Sequence, residues 1–302
     1  MIELRKFRKH YGDVEAVADV DLVIERGEIF ALVGPNGSGK STIMRALAGL
    51  HKPTSGAIFI DGCATEGRPD ALRWLTTYLP QRLSFPKVLR VFEIVDLFAA
   101  LQNAPTGRAR EALDAMALGE VAERQIGELS GGMVQRLGIA ITFLHPAPVI
   151  ILDEPSVNLD AQGVSCFRDL VRSSIARDAT VVISSHILQD TLELAHRIGV
   201  MANGRLVAIE STDAFHERVS NETAVRVVLS RNAPHYADIA RQAGAEITQV
   251  NGRRITFHAA PNARLQVVRA IESAGGAIEE FHTEMPSLEI LAGVSDEAGE
   301  KQ

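Results

Sequence analysis

The sequence contains few cysteines and no long apolar segment. Its two cysteines, Cys63 and Cys166, lie far apart, at a spacing that fits neither a disulfide framework nor a metal site. No apolar run approaches the roughly 20 residues that a membrane span requires, and the N-terminal residues lack the apolar stretch of a signal peptide. We therefore expect structural thiols in a reducing compartment, no direct membrane span, and a membrane role only through a partner.

An excess of positive charge is also absent. The formal net charge of −7 argues against non-specific nucleic-acid binding as the main activity. Heptads, low-complexity segments and internal repeats are missing as well. The 302 residues, 46% of them apolar and 23% charged, therefore predict an ordinary globular protein with one large and one small domain.

The periodicity of the longer, N-terminal part predicts an α/β domain. The segment VADVDLVIERG alternates apolar and acidic residues, as half-buried strands do, and EIFALVG is a short apolar run typical of a buried strand. A helix is expected over 40–48, helical periodicity extends over about 86–145, and PVIILDEP and ATVVISSH again predict strands. The Asn203-Gly204 pair predicts the turn of a hairpin.

The pattern changes after about Ser220. The segments TAVRVVLS, AEITQV, RRITFHA and AIEEFH are typical of strands, and HYADIARQAG and ARLQVVRAIESAG are typical of helices. Their order along the chain is βαββαβ, which is the ferredoxin-like pattern. We therefore expect a small α+β domain over 219–302.

A glycine-rich segment, GPNGSGKST, fits the phosphate-loop pattern G-x-x-x-x-G-K-[ST]. It follows a predicted buried strand and precedes a predicted helix, which is the context that such a loop requires. Its backbone N–H groups would surround phosphate oxygens, Lys40 would reach the β- and γ-phosphates, and the Ser41 hydroxyl would bind Mg²⁺. The predicted ATP-binding residues of this loop are Gly34, Pro35, Asn36, Gly37, Ser38, Gly39, Lys40, Ser41 and Thr42.

Two acidic residues end the predicted strand in VIILDEP. Asp153, at the strand end, is placed to hold Mg²⁺ directly or through water. Because successive strand residues face opposite sides, the Glu154 carboxylate would point elsewhere, where it would polarise an attacking water as a general base. Beside a complete phosphate loop, this catalytic interpretation is favoured over a pair of surface acids.

The segment LSGGMVQR begins with small residues and continues as a predicted helix. A serine and two glycines at a helix start let backbone N–H groups approach an anion closely. The segment has neither a lysine to neutralise a phosphate nor a Mg²⁺ ligand. It therefore predicts an incomplete anion site.

Together these motifs resemble the ATP-binding subunit of an ABC transporter over residues 2–215. In that family the aromatic residue of HYGDVEAV stacks on adenine, which assigns Tyr11, and the glutamine of YLPQR senses Mg²⁺ and water, which assigns Gln81. The last residue of SVNLD belongs to an inter-subunit loop, which assigns Asp160, and the histidine of ISSH is a switch residue, which assigns His186. Each match is short, but all of them occur in the family's order.

The resemblance implies a homodimer in which two cassettes meet head to tail around two ATP molecules. The phosphate loop of one chain would face LSGGMVQR of the other, and the residues that contact that ATP would be Ser130, Gly131, Gly132 and Gln135. The implied catalytic residues are Lys40, Gln81, Glu154 and His186, and the implied Mg²⁺ ligands are Ser41, Gln81 and Asp153. ATP would shift the dimer toward its closed state.

The implied architecture is a P-loop NTPase cassette over 1–218, with a mixed β-sheet core and a helical subdomain at about 86–145, followed by an accessory domain. The segment MPSLEILAGV resembles the end of that extra domain in exporter-type ATPases. A groove near Gln81 would receive an integral membrane permease subunit, which would choose the cargo. The chain would then be cytoplasmic and peripheral on the inner face of the cell membrane, with no nucleic-acid partner.

Two other interpretations stay open. A soluble ATPase of the same family would act on nucleic acid or ribosomes, but such proteins carry coiled-coil insertions or two cassettes, whereas this chain has one. A degenerate cassette would bind without hydrolysis, but the implied catalytic residues are all present. His258, His282 and Met285 also invite a metal-site interpretation, but they lie at no ligand spacing.

Overall fold

The computed structural model describes residues 1–66, 74–186 and 193–293. The chain divides into two compact units, Met1–Glu210 and Ser211–Gln302. The domain boundary expected at residue 218 falls inside a helix of the second unit, Thr212–Glu222. Residues 294–302, which end the expected small domain and include the last residue of MPSLEILAGV, lie outside the described residues.

The first unit contains an antiparallel sheet and a mainly parallel sheet. Its strands are β1 (Ile2–Tyr11), β2 (Val14–Ile24), β3 (Ile29–Val33), β4 (Ser55–Ile60), β5 (Cys63–Ala64), β6 (Thr76–Leu79), β7 (Val149–Asp153), β8 (Thr180–Ser185), β9 (Arg197–Ala202) and β10 (Arg205–Ser211). The antiparallel sheet has the order β2-β1-β4-β5, and the other sheet has the order β10-β9-β3-β8-β7-β6. The strands predicted from VADVDLVIERG and EIFALVG are confirmed as β2 and β3.

Helices cover the sheets and form the block between β6 and β7. They are α1 (Lys40–Leu47), α2 (Val91–Leu101), α3 (Arg108–Ala115), α4 (Gly131–Thr142) and α5 (Ala161–Ile175). The helical block predicted over 86–145 is confirmed as α2, α3 and α4, whereas α5 was not predicted. Within the described residues, no helix combines the length and the apolar character that crossing a membrane requires.

The carboxyl ends of the parallel strands bring distant sequence segments to one edge of the sheet. Val33 pairs with Ser185 across β3 and β8, and Asp153 pairs with Ser184 across β7 and β8. The loop after β3, the acids at the end of β7 and His186 after β8 therefore lie at the same edge, where open α/β sheets place their ligands.

The core of the first unit joins its two sheets through α1. Ile43, Met44 and Leu47 of α1 are buried in one cluster with Phe7 of β1 and Phe30 of β3. Burial of such side chains is the main favourable contribution to packing. It fixes the start of α1, and hence the loop before it, against the end of β3.

The second unit begins with α6 (Thr212–Glu222) and then follows the predicted βαββαβ order. Its further elements are β11 (Ala224–Leu229), α7 (Pro234–Gln242), β12 (Glu246–Asn251), β13 (Arg254–His258), α8 (Arg264–Ser273), β14 (Ile278–Glu284) and α9 (Leu288–Leu291). The strands form an antiparallel sheet in the order β12-β13-β11-β14. Val227, Phe257 and Ile271 lie in its core, and His258 and His282 lie on β13 and β14, with β11 between them.

Candidate functional site

The loop between β3 and α1 is built around glycines that no other residue could replace without strain. Gly34 and Gly39 have φ angles of 154° and 105°, in the region that favours glycine. A Cβ at Gly34 would lie 2.2 Å from the Met201 carbonyl oxygen, and a Cβ at Gly39 would lie 2.7 Å from the Ala16 carbonyl oxygen. The loop therefore packs its backbone closely and presents N–H groups at the start of α1.

Lys40, the first residue of α1, folds back over this loop. Its Nζ donates to the carbonyl oxygens of Gly34 at 2.6 Å and Pro35 at 3.1 Å. Burial lowers the pKa of Lys40, and the carboxylates of Glu154 and Asp153 oppose that shift. A cation held by neutral carbonyls at a helix N-terminus is the electrostatic arrangement that a phosphate requires.

A cavity of about 400 Å³ lies in front of the loop. Its lining brings the phosphate loop together with Gln81 and Glu154, and the residues are Ala16, Asn36, Gly37, Ser38, Gly39, Lys40, Ser41, Thr42, Gln81 and Glu154. The Ser38 hydroxyl is buried and has no hydrogen-bond partner among the described residues. An orphaned donor beside a lysine and a glycine cradle fits a phosphate group.

Asp153 is fully buried and is held by three hydroxyl groups. Ser41 Oγ lies 3.1 Å from Asp153 Oδ1, Ser184 Oγ donates to the same oxygen at 2.5 Å, and the Tyr78 hydroxyl donates to Oδ2 at 3.4 Å. Burial, together with the Asp153 charge, raises the pKa of Tyr78 to about 12, so its proton stays on this bond. The Ser41 and Asp153 oxygens are hard ligands of the kind that Mg²⁺ prefers, and Gln81 lines the same cavity.

Glu154 turns away from Asp153 through an unusual backbone conformation. It is 3% exposed, and its φ of 54° lies in the left-handed region. Its N–H donates to the Ser184 carbonyl oxygen at 3.2 Å and to Ser184 Oγ at 3.1 Å. The two acids therefore have different partners, as their adjacency in the sequence indicated.

His186 is the partner of the Glu154 carboxylate. Its backbone N–H donates to Glu154 Oε2 at 3.2 Å, and its Nδ1 lies 2.7 Å from the same oxygen. The contact at Nδ1 fixes the orientation of the His186 ring, and Nε2 takes no part in it. The pair places a buried carboxylate and an oriented imidazole beside the phosphate-loop cavity.

Tyr11 lies at the end of β1, where it pairs with Val14 of β2. Its side chain is 43% exposed, and its hydroxyl lies 2.5 Å from His51 Nδ1. The same β2 strand contributes Ala16 to the phosphate-loop cavity. Tyr11 itself is not among the cavity-lining residues, and two residues separate it from the start of β2.

The LSGGMVQR segment forms the start of α4. Ser130 is the N-cap, and its Oγ accepts from the Met133 N–H at 3.3 Å. A second cavity, of about 620 Å³, is lined by Ser130, Gly132 and Met133 together with Asn158 and Asp160. The predicted inter-subunit residue thus lies beside the segment of its own chain.

The Gln135 side chain faces the interior of its own chain. Gln135 is 6% exposed, and its Nε2 donates to the Pro155 carbonyl oxygen at 3.0 Å. Two residues along a helix correspond to a rotation of roughly 200°, so Gln135 faces the interior when Met133 faces the cavity. Gln135 therefore holds the turn after Glu154, and Met133 lines the second cavity.

Arg136 is a site residue that the sequence reasoning missed. Its buried guanidinium forms an ion pair with Asp160 and also donates to Gln162 Oε1 at 3.4 Å. Asp160 in turn caps α5 by accepting from the Gly163 N–H at 2.8 Å. The Arg136 guanidinium, followed by the Gly163 N–H, lowers the pKa of Asp160. The only available signal was the position of Arg136 directly after Gln135 in the predicted helix.

Comparison with known proteins points to one family. Residues 17–157 match the ABC transporter family. The lantibiotic transport ATP-binding protein SrtF of Streptococcus pyogenes is 32% identical over 213 residues, which are 70% of this chain and 92% of that protein. The daunorubicin/doxorubicin resistance ATP-binding protein DrrA of Streptomyces peucetius is 30% identical over 301 residues, which are 98% of this chain and 90% of that protein.

Solved structures share the fold over about 70% of the chain. An ATP-binding subunit of an ABC transporter is 27% identical with a TM-score of 0.66, and the match covers 72% of this chain and 92% of that one. An ATP-binding cassette solved as a dimer in a post-hydrolysis state with ADP and Pi is 28% identical with a TM-score of 0.65, and the match covers 70% and 99%. The chain therefore belongs to the ABC transporter family as an ATP-binding subunit, and it is an ATP hydrolase.

Proposed function

We propose that this chain powers an exporter and that two copies dimerise head to tail around two MgATP molecules. The observation that carries this proposal is the Glu154–His186 pair, 2.7 Å apart beside the phosphate-loop cavity. A buried carboxylate next to an oriented imidazole can activate a water molecule where the γ-phosphate would lie. Hydrolysis then needs positioning and electrostatic stabilisation, and both lie within one cavity.

Each predicted site residue has a role in the proposed hydrolysis. Lys40 exchanges its carbonyl partners for phosphate oxygens, whose charge offsets the cost of its burial. Glu154 would polarise the attacking water, and His186 would orient the Glu154 carboxylate through Nδ1 and lie beside that water and the γ-phosphate. Mg²⁺, held by Ser41, Asp153 and Gln81, would neutralise phosphate charge. Tyr11 would stack on adenine.

The second cavity supports the head-to-tail arrangement. Ser130 and Gly131 are exposed at the N-terminus of α4. This helix end offers backbone N–H groups to an anion, whereas Lys40, Ser41 and Gln81 line the first cavity. An ATP molecule from a second copy would bring the phosphates that this helix end can bind. A relative of known structure was solved as a dimer with ADP and Pi, which fits this arrangement.

The helical block offers a surface for a membrane permease. Val88 and Leu101 are 75% and 63% exposed, and Leu97 of α2 is also exposed. Exposed apolar side chains on one subdomain are typical of a surface that another protein covers. The relatives named for lantibiotic transport and drug resistance favour export. The chain would then be peripheral on the cytoplasmic face, with the second unit as an accessory domain.

The first test replaces Glu154 by glutamine. The variant should bind ATP, hydrolyse it about 100-fold to 10,000-fold more slowly, and accumulate as a nucleotide-bound dimer. Glu111→Gln, which changes an exposed acid of α3, is the matched control and should keep parental turnover. Equal turnover in the parent and Glu154→Gln would refute the assigned role. Size-exclusion chromatography with ATP measures the dimer.

The second test separates the two half-sites. Lys40→Ala disables the phosphate loop, and Ser130→Arg obstructs the start of α4. Each variant alone should be inactive, but mixed heterodimers hold one composite site in which both halves are intact. We expect partial recovery of ATPase activity on mixing. Heterodimers that form and remain inactive would contradict the head-to-tail arrangement.

A further inference from the structure

Tyr11 is held by a histidine that none of the sequence motifs contains. The Tyr11 hydroxyl lies 2.5 Å from His51 Nδ1, and the two rings meet edge to face with their centroids 5.6 Å apart. The ammonium of Lys9 lies 5.2 Å from the centre of the Tyr11 ring. An exposed aromatic ring at a strand end is normally mobile, but this one is anchored at its hydroxyl and also contacts the His51 ring.

The segment that carries His51 is itself tied to the end of β1. Lys9 Nζ donates to the Lys52 carbonyl oxygen at 2.8 Å, and the His10 N–H donates to Thr54 Oγ1 at 3.0 Å. This segment follows α1, whose other end carries the phosphate loop. One short helix therefore has the phosphate-binding loop at its N-terminus and the histidine that holds Tyr11 just beyond its C-terminus.

We propose that His51 is a positioning residue for the nucleoside part of ATP, because it holds in place the Tyr11 ring on which adenine would stack. This inference depends on the proposed function, in which Tyr11 receives the base. Burial lowers the pKa of His51, and the nearby Arg45 and Lys9 lower it further. The neutral His51 ring accepts a hydrogen bond from the Tyr11 hydroxyl at Nδ1, so this bond persists at neutral pH.

A fixed ring lowers the entropy that is lost when adenine stacks on it. Loss of one hydrogen bond of this kind should weaken ATP binding by about threefold to tenfold. Inorganic tripolyphosphate has no base, so its affinity should not depend on the orientation of Tyr11. The ratio of the two affinities therefore separates a positioning role from a general effect on α1.

The experiment measures the Kd of ATP and of tripolyphosphate by titration calorimetry on the full-length chain. His51→Leu removes the acceptor, and His51→Asn keeps an acceptor near the position of Nδ1 and should restore most of the ATP affinity. Tyr11→Phe removes the hydroxyl and keeps the ring. The double variant Tyr11→Phe/His51→Leu should bind ATP no more weakly than either single variant, because both remove the same bond.

A selective loss of ATP affinity in His51→Leu, with rescue by His51→Asn and no further loss in the double variant, supports the inference. An unchanged ATP affinity in His51→Leu overturns it, and so does an equal loss for ATP and tripolyphosphate. Lys40→Ala is the control for the proposed function itself and should abolish binding of both probes. If Lys40→Ala left ATP binding intact, that result would refute the proposed function itself, independently of the role of His51.

Discussion

Replacing Gly132 by alanine tests how closely the start of α4 packs on the loop before α5. A Cβ at Gly132 would lie 2.6 Å from the carbonyl oxygen of Asn158. The neighbouring Gly131 is the matched control, since a Cβ there would have nothing within 4 Å among the described residues. Both glycines lie in the first turn of α4, where alanine is well accommodated.

The expected magnitude follows from the size of the overlap. The contact must open from 2.6 Å to at least 3.0 Å, and the obstacle is backbone rather than a flexible side chain. Asn158 itself has a φ of 64°, and Asp160, two residues on, is paired with Arg136, so the loop has little freedom to move. Overpacking of this kind costs about 1–3 kcal/mol. Gly131→Ala should instead gain about 0.5–1 kcal/mol from helix propensity.

Scanning calorimetry of the full-length chain measures the difference. A change of 1 kcal/mol shifts the Tm of a domain of this size by about 2–4 °C, so Gly132→Ala should lower the Tm of the first unit by roughly 5 °C. Gly131→Ala should leave it unchanged or raise it slightly. Equal Tm values for the two variants would refute the packing argument, because the loop at Asn158 would then move to accommodate a methyl group without loss of stability.

Three further variants probe the other end of the site. Ser184→Ala removes a 2.5 Å hydrogen bond from buried Asp153 and should cost about 1–3 kcal/mol, measured by calorimetry, and slow ATP hydrolysis. Since the pKa of Tyr78 is about 12, the parent and Tyr78→Phe should show the same phenolate absorbance at about pH 11, and a larger signal in the parent would contradict the burial of this hydroxyl. Arg136 lowers the pKa of Asp160, so the ion pair stabilises the fold above the unfolded-state pKa of about 3.9, and this stabilisation is lost as the pH falls through the lower folded pKa. The Tm difference between the parent and Asp160→Asn should therefore be constant from about pH 7 to 5 and disappear toward about pH 2.

The strands and the phosphate loop could be predicted because their signals are local. Alternation of apolar and acidic residues identified β2, and a glycine pattern between a strand and a helix identified the loop at Gly34 to Thr42. The βαββαβ order of the second unit was equally readable, since each element carries its own periodicity. In contrast, α5 was missed, because Gly163 and Ser174 interrupt its buried apolar face.

The supporting residues of the site could not be predicted, because their partners are distant in the sequence. Ser184 and Tyr78 acquire a role only when the order β8-β7-β6 places them beside Asp153. The orientation of Gln135 could not be predicted for the related reason that a motif gives residue types, whereas the helix register decides which of them face outward. Arg136 was overlooked because nothing in the sequence connects it to Asp160.

The motif identifies Glu154 as an acid, but its backbone conformation is fixed by residues that are distant in the sequence. A residue other than glycine in the left-handed region costs on the order of 1–3 kcal/mol, so this conformation persists only if its surroundings hold it. Ser184 does so by accepting the Glu154 N–H twice, and His186 does so by binding the carboxylate. Ser184 lies near the carboxyl end of β8 and His186 directly follows that strand. The strand that contacts Asp153 therefore also orients Glu154. The angle between the two acids is therefore a property of the β7–β8 pairing, and a change that shifts this register would misplace both carboxylates together.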